Sequence, residues 1–342
     1  MSYKTEQKTF AFSDTFELES GIILPGFQLA YTTMGELNGE RTNVLWIFHA
    51  LTANSNVIEW WQELVGTNKV IDPQKYFVVC VNMPGSCYGS VGPVSIDPSV
   101  ASSFHDFPFF TTRDMANAYK LLKDNLGIKK IAIGMGGSMG GQQLLEWAII
   151  EPDLFKMIVP LATNAKHSPW GIAFNATQRM AIENDSTWKN KETDAGLEGM
   201  KVARSIALIS YRHYDTYLSS QSDINPEKLE DYKSESYQRY QGEKLATRFN
   251  AFSYYFLSKS MDAHNVGRNR GSVDAALKKI IAKTLIIGIT TDVLFPVQEQ
   301  IFLFENIANA KIELIESPYG HDGFLTEGEK INDLILNFIN SN

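Results

Sequence analysis

The chain has 342 residues, 44% of them hydrophobic and 12% aromatic, which is enough to bury a large core and argues against an intrinsically disordered chain. Its 31 Lys and Arg against 39 Asp and Glu leave a net charge of −8, so a general nucleic-acid or anionic-membrane binder, which needs a basic field, is excluded; a local pocket for a small anion is not. Two cysteines, Cys80 and Cys87, cannot build a disulfide framework or a Cys-rich zinc site, and the histidines show no metal-ligand spacing. No early apolar segment reads as a signal peptide and no run of 18 apolar residues reads as a membrane span, so a reduced, cytoplasmic protein without a bound metal is expected.

Residues 10–16 and 27–33 read as strands, with Gly21, Pro25 and Gly26 as punctuation. The continuous apolar runs 43–49 (NVLWIFH), 76–82 (YFVVCVN) and 130–133 (KIAI) have the character of fully buried strands. Between the last two, 112–126 carries apolar residues at helical spacing, stops at Gly127, and offers Thr112 as N-cap with Asp114 near the positive helix end. Strand, helix, strand implies parallel pairing with a right-handed crossover. A helix over 142–150 and a buried strand over 156–162 follow.

The character then changes. From 165 to 271 the chain is aromatic and polar with helical periodicity, and helices are predicted at 178–183, 199–211 and 248–261. The α/β rhythm returns with a helix at 273–281, a strand at 284–289, a helix at 297–306, a strand at 311–316 and a last helix at 327–340. The expected organisation is an α/β core of residues 1–164 and 272–342, doubly wound around a mostly parallel sheet, interrupted by a helical cap of residues 165–271.

The strongest local signal is Gly136-x-Ser138-x-Gly140, set between a predicted strand and a predicted helix. That is the context of a nucleophile elbow, where the turn is so tight that the flanking positions must be glycine. A glycine-rich loop can instead cradle phosphate, but neither GxGxxG nor GxxxxGK[ST] occurs. A serine nucleophile needs a base and the base an orienting carboxylate, in the chain order Ser, Asp or Glu, His. Asp292 follows the strand at 284–289 and His321 follows the strand at 311–316, both at carboxyl ends where open α/β sheets place their sites. Leu51, in the loop after 43–49, and Met139 are expected to supply the backbone N–H groups of an oxyanion hole. His49 is expected to orient that loop; His105, His167, His213 and His264 read as cap or loop residues, and Cys87 as a packing residue.

The motifs HALT with a downstream WW, GSCYGS, GGSMGGQQLLEWA, ATNAKHSPWGIAFN, ISYR, FNAFSYYFLSKSMDAHNVGRNRG, TDVLFP and YGHDGFL run over nearly the whole length. Together they resemble the homoserine O-acetyltransferases, α/β-hydrolase-fold acyltransferases of methionine biosynthesis. The resemblance implies transfer of an acetyl group from acetyl-CoA, a co-substrate and not a resident cofactor, to L-homoserine by a ping-pong route. It implies Ser138 as nucleophile, His321 as base, Asp292 as its orienter, Arg212 for the homoserine carboxylate, Asp322 for its ammonium, Thr52 beside the substrate, and a homodimer. Many relatives read GGC where this chain has Gly85, Ser86 and Cys87, and carry acidic residues after the YR pair where it has His213 and Tyr214. Succinyl-CoA as donor, serine as acceptor, or plain ester hydrolysis are the neighbouring readings. Arg268, Arg270, Lys278 and Lys279 form the densest basic stretch available to CoA.

Overall fold

Buried apolar runs of the sequence become neighbouring strands in the computed structural model, which describes residues 5–94 and 103–341. In chain order the strands are β1 (Glu6–Phe12), β2 (Phe16–Glu17), β3 (Ile23–Leu24), β4 (Phe27–Met34), β5 (Val44–Phe48), β6 (Phe77–Val81), β7 (Ile131–Gly137), β8 (Phe155–Leu161), β9 (Lys283–Ile289) and β10 (Ala310–Ile315). Apart from the β2–β3 ribbon they form one sheet in the order β1-β4-β6-β5-β7-β8-β9-β10. The pairs β1–β4 and β4–β6 are antiparallel, and every pair from β6 to β10 is parallel. This mostly parallel sheet between helices is the α/β-hydrolase architecture. The strands flanking the predicted crossover, β6 and β7, are parallel but do not touch, because β5 lies between them.

The helices are α1 (Thr112–Asn125), α2 (Met139–Ile150), α3 (Pro169–Glu183), α4 (Leu197–Tyr211), α5 (Tyr214–Gln221), α6 (Lys233–Ala246), α7 (Ala251–Asp262), α8 (Val273–Leu277), α9 (Val297–Asn306), α10 (Gly323–Thr326) and α11 (Gly328–Asn340). Strand alternation divides the apolar side chains between two cores. Val44, Trp46 and Phe48 of β5 join α1, α2 and α9 on one face, whereas Leu45 and Ile47 join Ile331 and Ile335 of α11 on the other. Helix α2 is buried on nearly every side, with Trp147 edge-on to Trp46 at 4.8 Å.

Several boundaries differ from the sequence expectation for local reasons. The first strand ends at Phe12, because the Asp14 carboxylate accepts the Thr15 N–H at 2.7 Å and turns the chain out of the ladder. Helix α1 is capped by Thr111 and not Thr112: Thr111 Oγ1 accepts from Asp114 N–H at 3.1 Å while Asp114 accepts the Thr111 N–H at 2.8 Å. Strand β7 continues through Gly137, where the glycines conceal the strand pattern. Helix α3 begins at Pro169, with Ser168 accepting from Gly171 N–H at 3.2 Å. Helices α5 and α6 escape a reading by periodicity: α5 buries no side chain and α6 only Gly242 and Leu245, so neither carries an apolar stripe.

Between β8 and β9 the described chain contributes nothing to the main sheet. It leaves and returns at one place: Val266 N–H donates to Ala165 O at 2.9 Å and His167 N–H to His264 O at 3.0 Å. Helices α3, α4, α6 and α7 pack on one another, and α4 reaches the turn Gly320–Asp322 beyond β10.

Candidate active site

Strand β7 ends at Gly137 and α2 begins at Met139, leaving Ser138 alone in the turn. Its backbone stands at φ 55° and ψ −126°, a conformation an L residue holds only when its surroundings impose it. They do so from both sides. Ser138 N–H donates to Leu161 O at 2.9 Å, and Ser138 O accepts from Thr163 Oγ1 at 2.7 Å and from Gly141 N–H at 3.0 Å. A methyl group on Gly136 would stand 2.7 Å from the Gly140 carbonyl, and one on Gly140 would collide with the Phe48 carbonyl. The two glycines thus allow the close approach that the turn requires.

The loops after β9 and β10 bring up its partners. His321 Nε2 lies 2.9 Å from Ser138 Oγ, and His321 Nδ1 lies 2.6 Å from Asp292 Oδ2. The other carboxylate oxygen accepts the N–H groups of Leu294 and Phe295, each at 2.8 Å, so both ends of Asp292 are held. With a carboxylate against Nδ1, the proton resides there and Nε2 is the acceptor for the serine hydroxyl. Thr291 stitches the two loops, donating to Ser317 O at 2.5 Å and accepting from Gly320 N–H at 3.2 Å. Phe295 stacks on the imidazole at 5.0 Å, and Phe324 and Tyr211 tilt against it at 5.2 and 5.7 Å. Ser138, His321 and Asp292 are 5%, 3% and 4% exposed, so this hydrogen-bonded chain is shielded from bulk water. Such a chain can carry a proton off the serine hydroxyl and stabilise the imidazolium that results. Thr163 and the three aromatic rings were not singled out from the sequence; only TDVLFP held a signal, since an Asp two and three residues before free N–H groups forms an Asx turn.

The register that pairs Phe48 with Gly136 sets the loop after β5 beside the first turn of α2. Met139 N–H stands at the first helical position and lies outside the intrahelical ladder. Leu51 sits in a turn closed by Ala53 N–H donating to Ala50 O at 3.0 Å. His49 Nε2 accepts the Met83 N–H at 3.0 Å, which leaves Nδ1 as the donor to Ala50 O at 2.9 Å. The Ala50 carbonyl is therefore held by two donors, and Leu51 N–H, in the same planar peptide, is directed the opposite way.

Arg212 and Asp322 meet each other: Arg212 Nε lies 2.7 Å from Asp322 Oδ2, an ion contact without hydrogen-bond alignment. Burial pushes the Asp322 carboxyl above its usual range, while Arg212 and Arg204 oppose that rise. The Thr52 carbonyl accepts from Arg248 Nη1 at 2.5 Å. The basic stretch considered for CoA is largely consumed by carboxylates, with Arg268 on Glu19 at 3.0 Å, Arg270 on Glu146 at 2.7 Å and Lys278 beside Asp274 at 3.6 Å. Burial pushes the Cys87 thiol up to about 11, and its Sγ contacts Arg248 O at 3.6 Å. Among the described residues no group of three or more His, Cys, Asp or Glu is placed to hold a metal ion, and no helix is long and apolar enough to cross a membrane.

Three histidines around the site are buried and neutral. Desolvation lowers His49 and His167 to about 4 and His264 to about 3. His264 joins Thr112 Oγ1 at 2.8 Å to Asn164 O at 3.0 Å, and His167 lies 3.3 Å from Asn175 Nδ2. Since the unfolded chain protonates these rings near the ordinary histidine value of 6.5, their stabilising contribution is complete above that pH and declines as the pH falls toward 4. The decline amounts to up to about 1.4 kcal/mol per pH unit for each ring. Glu299, pushed up to about 7 by burial and by Asp292, acts in the opposite sense between pH 7 and its ordinary 4.5. Asp114, Asp262 and Asp322, raised by burial from an ordinary 3.8, act in the same sense as Glu299 but from lower in the pH range. The three histidines are expected to dominate between pH 7.5 and 5, so the urea midpoint is expected to be lower at pH 5 than at pH 7.5, with proton uptake on unfolding; a flat profile would contradict this.

Residues 43–328 match the family described as alpha/beta hydrolase fold. The chain is 46% identical over 339 residues to a homoserine O-acetyltransferase of Cyclobacterium marinum, covering 99% of this chain and 96% of that one. Among solved structures, esterase E22 superposes with a TM-score of 0.88 at 20% identity, covering 98% of this chain and 100% of that one. A homoserine O-acetyltransferase from Bacillus anthracis superposes with a TM-score of 0.87 at 24% identity, covering 97% and 98%. The structural likenesses carry the fold; the sequence likeness carries the family.

Proposed function

The chain belongs to the homoserine O-acetyltransferases, acyltransferases of the α/β-hydrolase fold, and on that premise we propose that it transfers an acetyl group from acetyl-CoA to the side-chain hydroxyl of L-homoserine through acylated Ser138. The observation that carries this reading is the Arg212–Asp322 pair, one residue beyond the imidazole that contacts Ser138. Hydrolysis of simple esters needs no amino-acid clamp, whereas an acceptor with a carboxylate and an ammonium has a use for both charges. In the free protein the two side chains neutralise each other; homoserine would exchange that contact for Arg212 on its carboxylate and Asp322 on its ammonium.

His321 Nε2 takes the Ser138 proton as Oγ attacks the thioester carbonyl. Leu51 and Met139 N–H groups stabilise the oxyanion, an interaction of about 3 kcal/mol per donor. Collapse breaks the C–S bond, and the leaving thiolate of CoA takes the proton from His321. Homoserine then gives its hydroxyl proton to His321 and attacks the acyl carbonyl, expelling Ser138, which recovers that proton. The scheme is ping-pong, and it requires water to be kept from the acyl-enzyme. The helical segment of residues 165–271 serves this as a lid that also supplies Arg212, and Thr52 borders the acceptor. The work is expected in the cytoplasm, in methionine biosynthesis.

The exposed apolar residues Val202 and Ile209, two turns apart on one face of α4, with Met180 on α3, are 54%, 61% and 58% exposed. They fit the face of a homodimer, which sedimentation at micromolar concentration would detect as a single species of twice the chain mass.

The test is CoA release from acetyl-CoA or succinyl-CoA, alone and with L-homoserine or L-serine. Release that needs both acetyl-CoA and homoserine supports the reading. Release without an acceptor makes the protein a hydrolase, and preference for succinyl-CoA or serine moves it to a neighbouring specificity. Arg212→Leu is expected to raise the KM for homoserine by about 100-fold, as loss of a bidentate charged contact does. Hydrolysis of p-nitrophenyl acetate by the same variant should stay within about threefold, since uniform binding of the acceptor is what was removed.

A further inference from the structure

A side chain of the helical segment reaches into the turn expected to hold the oxyanion. Arg248, three residues before α7, donates from Nη1 to Thr52 O at 2.5 Å and to Tyr88 OH at 2.7 Å. Thr52 is a central residue of the turn that Ala53 N–H closes on Ala50 O, and His49 holds that turn from the core side. Leu51 thus lies between two pinned carbonyls, Ala50 O fixed by His49 and Thr52 O fixed by Arg248. Ala50 O and Leu51 N–H share one planar peptide, so His49 sets the direction of that N–H, while Arg248 on Thr52 O, two peptide units on, holds the other side of the same turn. Further contacts keep the arginine in place: Cys87 Sγ meets Arg248 O at 3.6 Å, and Phe249 packs edge-on to Tyr88 at 5.8 Å.

We propose that Arg248 is a positioning residue for the acyl-transfer step, holding the Ala50–Ala53 turn so that Leu51 N–H is aimed before the transition state forms. The proposal rests on Leu51 serving as an oxyanion donor. Electrostatic stabilisation depends on donors that need no reorganisation as charge develops, so a loosened turn weakens the hole without altering the nucleophile or the acceptor clamp. Arg248 is an exposed residue, and its loss leaves no buried charge behind. The turn also becomes dependent on the lid: Thr52 O loses this partner whenever residues 165–271 move away from the core.

The test compares the native chain with Arg248→Ala and Arg248→Lys in acylation by p-nitrophenyl acetate and in homoserine-dependent CoA release. Arg248→Ala is expected to lower kcat for both reactions by about 10- to 100-fold, the scale of a small misplacement of reacting groups, with the KM for homoserine within about threefold. Guanidinium chloride at low, non-denaturing concentration should restore part of the lost rate, and Arg248→Lys should retain more activity than Arg248→Ala. Unchanged kcat in Arg248→Ala overturns the proposal. So does a loss that follows a lowered Tm and does not respond to guanidinium, because that describes a structural strut. Should the native chain itself fail to release CoA, the proposed function fails, while ester acylation still decides the role of Arg248.

Discussion

Ser138→Ala is expected to reduce homoserine-dependent CoA release by about 10⁴-fold or more, the loss seen when the member of a triad that forms the covalent bond is removed. The hydroxyl that contacts the turn from the loop after β8, Thr163 Oγ1, cannot take its place, because it is committed to the Ser138 carbonyl at 2.7 Å. The fold should survive, because the main-chain bonds that hold position 138 do not involve its side chain and alanine meets the same φ of 55° that serine does. Mass spectrometry of the native protein with acetyl-CoA and no acceptor should show one added acetyl group, absent from the variant and discharged by homoserine. A variant that keeps more than about one hundredth of the native rate would remove Ser138 from the reaction.

Asp292→Asn should be nearly as damaging for a different reason, lowering kcat by about 10⁴-fold while leaving the protein folded. Asn Oδ1 can still accept the Leu294 and Phe295 N–H groups, so the loop keeps its anchor. Its amide nitrogen would then face His321 Nδ1, now 2.6 Å from a carboxylate oxygen, and a donor at that place forces the proton onto Nε2. An imidazole protonated at Nε2 cannot accept from Ser138 Oγ. The expected signature is a large fall in kcat with homoserine KM and Tm close to native. A KM rise as large as the fall in kcat would instead place Asp292 in substrate binding.

Much of this molecule was legible because the relevant signals are local. The stretches 44–48, 77–81 and 285–289 carry only apolar residues and one glycine, which a strand covered by helices on both faces demands. Gly136, Ser138 and Gly140 encode a turn within five residues, and Asp292 and His321 follow strands directly. Helices α5 and α6, which the sequence reading lacks, lie on the surface and bury almost nothing, so their sequences carry no periodic stripe, and the four-residue α10 is too short to show one. The cap of α1 moved by one residue because Thr111 and Thr112 are both competent caps, and only the reciprocal bond with Asp114 selects between them.

The sequence by itself determined the class of fold, the family and the order Ser138, Asp292, His321, since each is read from short motifs and from their order along the chain. Tertiary structure alone decided which distant residues meet. It set β5 between β6 and β7, joined Arg212 to Asp322, brought Arg248 to Thr52 from 196 positions away, and gave Trp61 Nε1 the carbonyl of Phe324 at 3.0 Å. The physical reason is that a strand or a turn is written in the few residues that compose it. A contact across the sheet is fixed only when strand order, register and the packing of α3–α7 over the carboxyl ends are settled together.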